Sequence, residues 1–438
     1  MILCSERYFH SNYTVVLQNI LQSSMNIINF YVYFVIYSFP NIIFGQRTSL
    51  DSIENIKILR AVKDFTLSFL GSTGKKESRE YKDGVDKSRV QEQIPENINF
   101  PCNVTDGRSK IVPTSVNRLR PGDIDIVGAL GDSLTAGFGV FSTSIFNIFI
   151  ENRGVSFPIG GQDTWRNVLT LPNILKEFNP NLYGFSLGDS YSHHEKTKFN
   201  IAEVGAMSRD LPFMAKLIVR KMKNDPKVNI KQHWKHINIF IGSNDFCSEI
   251  CWVKNPWQVL KNHKIEMIET LRILRDNLPR TIVSIIPSPN LKVLVEMKGR
   301  SKICEMTVSM ECSCLIGLTW RKQRNEFYNL MTRWQEFDEQ VANFDEFHRD
   351  DFAVIAQPLS TNVKYPTLSN GMTDFRYLSS DCFHFSQIAN ARTAISLWRN
   401  MLEPTNNKSR LWTDEGPFPC PTEKRPYIAT PQNSIKFQ

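Results

Sequence analysis

Three short clusters in this chain hold the residue types from which acyl-transfer chemistry is built. The first is Gly131-Asp132-Ser133-Leu134-Thr135-Ala136-Gly137, a serine flanked by glycines just past an apolar run. A serine on such a turn exposes its hydroxyl, and a neighbouring base can make it a nucleophile. The cluster is not a G-x-S-x-G elbow, because Thr135 stands where that motif has glycine. The second, Gly242-Ser243-Asn244-Asp245, closes another apolar run, and an asparagine there can turn its amide N–H toward a developing oxyanion. The third is Asp381-Cys382-Phe383-His384. A carboxylate and an imidazole three residues apart at a turn can meet, which fixes the ring tautomer and stabilises its charged form. Each cluster alone is common in turns that do no chemistry. Together they point to Ser133 as nucleophile, His384 as general base, Asp381 as its orienting acid and Asn244 as an oxyanion donor.

The elements that must position these residues are legible as apolar runs and helical periods. Strand-length runs occur at Ile124–Leu130, Ile237–Ile241, Thr281–Ile286 and Phe352–Ala356. Between and after them, residues 257–278, 320–344 and 386–402 carry apolar side chains at spacings of three and four, as amphipathic helices do. Strands alternating with helices predict an α/β fold with a mostly parallel sheet covered on both faces. Such sheets place their sites at the C-terminal ends of strands, and all three clusters are expected to lie at such ends.

Composition bounds the remaining possibilities. The chain has 438 residues, 52 Lys plus Arg and 44 Asp plus Glu, a net charge of +8. That excess is spread without a long basic block, so no nucleic-acid partner is expected. From Ser11 to Gln46 there is no charged residue, and Met25–Gly45 is densely apolar. Residues 1–45 therefore read as a signal peptide or a signal anchor, with cleavage near Gly45 favoured and Met25 a candidate start. Without that leader, which carries Cys4, eight cysteines remain: Cys102, Cys247, Cys251, Cys304, Cys312, Cys314, Cys382 and Cys420. An even set in a secretory chain reads as disulfides, in no pairing that spacing alone selects. Asn103-Val104-Thr105 and Asn407-Lys408-Ser409 are glycosylation acceptors in the same compartment. His233 and His236 show no ligand spacing, and His193, His194 and His348 read as loop residues, so neither metal nor cofactor is expected.

With these residues in view, the chain resembles a GDSL-type, or SGNH, hydrolase, in particular the animal phospholipase B branch. The resemblance rests on VPTSVNRLRPGDIDIVGALGDSLTAGFG, IGGQDTWRNVLTLPNILKEFNPNL, FNIAEVGAMSRDLP, WKHINIFIGSNDFC, DDFAVIAQP and DCFHFSQIANARTAISLWRNMLEP. It implies a three-layer α/β/α, flavodoxin-like fold over residues 100–421; outside it, composition makes 46–99 a polar linker or propeptide and 422–438 a polar tail. It also implies an oxyanion hole of the Ser133 and Gly205 backbone N–H groups with the Asn244 amide, and Gly205 is singled out by the resemblance alone. The implied activity is hydrolysis of fatty acyl esters of phospholipids and lysophospholipids at membrane or micelle surfaces, by a secreted, single-unit monomer. Two other readings stay open: a general carboxylesterase or acyltransferase on the same scaffold, and a non-catalytic secreted lipid-binding protein.

Overall fold

A computed structural model describes residues 53–435, in which five strands form one sheet: β1 (Ile124–Gly131), β2 (Trp234–Ile241), β3 (Thr281–Pro287), β4 (His348–Arg349) and β5 (Phe352–Ala356). Their order is β1-β2-β3-β5-β4; the first four neighbours run parallel and β4 is antiparallel to β5. Six helices of ten residues or more accompany them among the described residues: α1 (Ile53–Leu70), α2 (Leu211–Asn224), α3 (Trp257–Asn277), α4 (Lys302–Glu311), α5 (Arg324–Val341) and α6 (Gln387–Leu402). The leader and Cys4 lie outside the described residues.

Strand side chains alternate between faces, so the sheet has two apolar cores. Val127, Ala129, Phe240, Ile282 and Ile355 pack with Leu397, Trp398 and Met401 of α6 and with the helix Leu171–Phe178. Ile126, Ile239, Val283 and Val354 face the opposite way, onto Met214 and Ile218 of α2, Met267 and Leu271 of α3, and Phe337 and Val341 of α5. The result is the three-layer α/β/α arrangement that the alternating elements predict. β2 begins at Trp234, earlier than the apolar run, because Lys235 and His236 are buried within the strand. The periodic segment 320–344 is helical only over Arg324–Val341.

Two polar segments differ from expectation. Residues 46–99 read as a polar linker or propeptide by composition, yet the part from 71 onward is tied to the sheet-bearing body at several points. Asn152 and Asp189 hold Thr73 and Gly74, the Gln91 N–H donates to the Gln387 side chain, and Val90 is buried. The tail is pinned too. Ile428 is buried and its N–H donates to the Leu119 carbonyl, and Asn433 donates to the Asn117 carbonyl. Hydrogen bonds between side chains and distant backbone leave no trace in composition, which is why both stretches look unstructured in sequence.

The eight cysteines of the body form four disulfides, Cys102–Cys420, Cys247–Cys312, Cys251–Cys314 and Cys304–Cys382. The first ties residue 102 to the tail, and the other three gather around α4. Asn103 and Asn407, the glycosylation acceptors, are both exposed. No helix among the described residues is long and apolar enough to cross a membrane.

Candidate active site

Ser133 is the first residue of a single helical turn, Ser133–Ala136, entered directly from the C-terminal end of β1. Asp132 is its cap: the carboxylate accepts the Leu134 N–H at 3.0 Å. Burial, opposed in part by that bond and the nearby His384, pushes the Asp132 carboxyl up to about 6. Gly131 is required by space, since a Cβ there would lie 2.5 Å from the Phe240 carbonyl oxygen. As the first residue of a helical turn, Ser133 also has a backbone N–H without an intrahelical acceptor.

His384 arrives from a loop that precedes α6. Residues 378–386 fold back on themselves through a Leu378–Phe385 bridge, with Cys382 in the left-handed region at φ 60°. The Ser133 hydroxyl donates to His384 Nε2 at 2.8 Å, and His384 Nδ1–H donates to Asp381 Oδ2 at 2.6 Å. The other oxygen, Asp381 Oδ1, accepts the backbone N–H groups of Phe383 and His384 at 2.9 and 3.0 Å. Burial alone would raise the Asp381 carboxyl. The His384 charge and these hydrogen bonds outweigh it and hold the group below the usual carboxylate range. The imidazole lies between the rings of Phe138 and Phe383, centroids 4.8 and 5.0 Å away. Ser133, Asp381 and His384 are all buried, at 4, 2 and 6% exposure.

Gly205 comes in along the free edge of β1. Ala129 exchanges backbone hydrogen bonds with Phe199 and Ile201, and the Glu203 N–H donates to the Gly131 carbonyl. The chain thus runs beside β1 to its C-terminal end, where Gly205 turns at φ 78°. No atom lies within 4 Å of a Cβ built there, so the conformation rather than the space calls for glycine. Asn244 follows β2 in the helix Ser243–Ser248 and donates one amide N–H to the Ala206 carbonyl at 2.9 Å, leaving its second N–H for a ligand. That contact ties Asn244 to the residue that follows Gly205. Asp245 accepts the Ser208 N–H and hydroxyl; burial and then the Glu249 charge push its carboxyl well up.

A buried charge cluster braces the same loop from behind. Lys63 of α1 pairs with Glu151 at 2.7 Å and with Glu203; Arg153 pairs with Glu151 at 2.6 Å and donates to the Asn200 and Ala202 carbonyls. Burial opposes the Lys63 charge, but Glu151 and Glu203 outweigh it, and Lys63 and Arg153 in turn hold Glu203 below its usual range. Lys63→Met should therefore strand a buried carboxylate and cost about 3–5 kcal/mol at neutral pH. Glu203 is depressed in the fold, so its contribution is present above the unfolded carboxylate range and fades as pH falls through the folded one. The deficit of K63M should shrink accordingly toward acid pH; denaturant titrations of both proteins at neutral and acid pH measure it. An equal deficit at both pH values would show that packing rather than charge is lost.

Spacing did not reveal Lys63, Glu151, Arg153 or Glu203, since they meet only in space. Asp132 and Asp245 lie inside the recognised clusters, and their signal was an acid beside the working residue. His233 and His236 stay structural: the His233 ring accepts the Asn229 N–H, and His236 contacts Ser284 at 2.8 Å while burial drives it down to about 3. His193 and His194 are brought against Asp64 at 2.7 and 2.8 Å, a grouping with metal-ligand composition. The Tyr191 N–H donates to His194 Nδ1, which leaves the ring proton on Nε2 facing Asp64. That is an imidazole N–H on a carboxylate rather than a ligand lone pair.

Residues 127–397 match the family described as GDSL-like lipase/acylhydrolase. The chain is 36% identical over 353 residues to the membrane-associated phospholipase B1 of Rattus norvegicus, covering 78% of this chain and 24% of that protein. To the Homo sapiens protein of the same name it is 37% identical over 335 residues, covering 74% and 22%. The chain thus spans about a quarter of the length of these curated relatives. Among solved structures it is similar to an extracellular lipase from Streptomyces rimosus and a phospholipase A1 from Streptomyces albidoflavus NA297. Each is 12% identical, covers 61% of this chain and 94% of its own, and has a TM-score of 0.29.

Proposed function

We propose that this chain, which belongs to the GDSL-like lipase/acylhydrolase family, hydrolyses fatty acyl esters of glycerophospholipids and lysophospholipids through an acyl-enzyme on Ser133. The observation that carries this reading is the unbroken hydrogen-bonded relay from the Ser133 hydroxyl through His384 to Asp381. His384 Nε2 takes the hydroxyl proton as Oγ attacks the ester carbonyl carbon. The oxyanion is met by the Ser133 and Gly205 N–H groups and the free Asn244 amide hydrogen. Collapse expels the alcohol, which receives its proton from His384, and the fatty acyl group stays on Ser133. A water deprotonated by His384 then attacks the acyl carbon and releases the fatty acid. Asp381, held as a carboxylate, keeps the Nδ1 proton in place throughout and offsets the imidazolium charge.

Lipid substrates are supported by the named relatives and by an apolar pocket beside the relay. Its walls include Leu134, Ser243 and Phe383, which adjoin Ser133, Asn244 and His384 in sequence, and behind them Phe240, Tyr365 and Trp412. The cavity itself is only about 30 Å³. A long acyl chain needs far more room than this and must move aromatic side chains or lie outside the cavity; a short acyl group makes a smaller demand, and this favours the second reading, a general carboxylesterase. Secretion is supported by the four disulfides, which suit an oxidising compartment.

Phosphatidylcholine, lysophosphatidylcholine and a short-chain ester separate the readings. Release of free fatty acid from both lipids is the expected result. Turnover of the short ester alone selects the carboxylesterase, and retention of lipid without any turnover selects a binding protein.

A further inference from the structure

Glu311, the last residue of α4, is an acid with no evident reason to lie where it does. A Glu311 carboxylate oxygen, an Asp381 oxygen and a His384 ring nitrogen all fall within 4.8 Å of one another. Glu311 Oε2 is shut off from solvent with no N–H or O–H donor at it, and the side chain lies within hydrogen-bonding reach of the Asp381 carboxylate. Two carboxylates are both acceptors, so a buried pair of them is tolerable only if one carries a proton. The placement is built in. Cys304, Thr307 and Glu311 are spaced by three and four along one face of α4. Cys304 is bonded to Cys382, the Thr307 hydroxyl donates to the Asp381 carbonyl at 2.8 Å, and Cys312, next after Glu311, is bonded to Cys247. α4 is therefore stapled to the loop that carries Asp381 and His384 and to the helix that carries Asn244.

We propose that Glu311 is a positioning residue of the relay: as the neutral acid it donates a hydrogen bond to the Asp381 carboxylate and holds it square to His384 Nδ1. Asp381 has the capacity, since its two oxygens accept three N–H groups and a carboxylate offers about four lone-pair sites. Burial and then the Asp381 charge push the Glu311 carboxyl well above its usual range, which keeps the proton on it. The charged groups facing this corner are Asp381 and His384 themselves, with Arg89 acting on Asp381 and Asp132 on His384. Among the described residues no lysine or arginine pairs with Glu311.

This inference rests on Ser133, His384 and Asp381 forming the working relay, and the test separates the two. Wild type, Glu311→Gln and Glu311→Leu are compared on a short-chain ester across pH, with thermal unfolding run alongside. Glutamine keeps a donor and cannot ionise, so E311Q should stay within about twofold of wild type. Leucine removes the donor, and kcat should fall about tenfold, the worth of one hydrogen bond to a charged group. With one donor fewer, Asp381 attracts the imidazolium more strongly, so the acid limb of the E311L profile should move to higher pH. Infrared difference spectra of wild type against E311Q should also show a protonated carboxyl band. The proposal is overturned if E311Q falls as far as E311L, if the E311L limb stays in place, or if that band is missing. An inactive wild type overturns instead the relay reading on which the proposal stands.

Discussion

Alanine at Ser133 is expected to lower ester turnover by on the order of 10⁴–10⁶-fold while leaving the fold intact. The hydroxyl is the one atom group through which the relay can form a covalent bond to an acyl carbon. Among the described residues, its side-chain hydrogen bond is to His384 Nε2. Removing it leaves a small methyl at a buried position, so unfolding should shift little. Substrate binding should persist, because the pocket walls and the donors proposed at Asn244 and Gly205 are untouched. Turnover, equilibrium binding of a non-hydrolysable ether lipid and thermal unfolding, measured together, check each part. Undiminished turnover by S133A would remove Ser133 from the chemistry, whatever its geometry.

Asp381→Asn should cost on the order of 10⁴-fold in kcat, and the structure says why an almost isosteric change is so damaging. Two backbone N–H groups, of Phe383 and His384, converge on Oδ1. An asparagine must therefore keep its carbonyl oxygen at that position and place its NH₂ where Oδ2 now stands. There the amide faces His384 Nδ1, which must become the acceptor, and the ring proton moves to Nε2. Nε2 then points a proton at the Ser133 hydroxyl and cannot accept one. The substitution inverts the tautomer without displacing the ring. Two readouts test this: turnover, and the ¹⁵N shifts of the His384 ring, which distinguish the two tautomers. Near-normal turnover in D381N with Nδ1 still protonated would show that another group sets the tautomer.

The two substitutions also show how far the residues could be read without coordinates. Ser133, Asn244, Asp381 and His384 stood out because each lies in a run of a few residues at a strand end or turn, where local chemistry is visible. The four parallel strands were legible because each is buried on both faces and so reads as a continuous apolar run. Gly205 was named through resemblance alone, since its proposed role depends on a backbone N–H and a φ of 78°, neither of which a letter records. Residues 71–99 misled because their anchoring is by hydrogen bonds to Asn152, Asp189 and Gln387, far away in sequence.

The sequence by itself therefore determined the α/β class, the short clusters from which the site is proposed and the even number of cysteines in the body. These are properties of local pattern, in which side-chain type and spacing carry the physics. The tertiary structure alone decided which cysteines pair, that Lys63 reaches Glu151 and Glu203, and that Glu311 lies against Asp381. The reason is that a buried charge is tolerated only opposite a partner, and that partner is chosen by packing across the fold rather than by position along the chain.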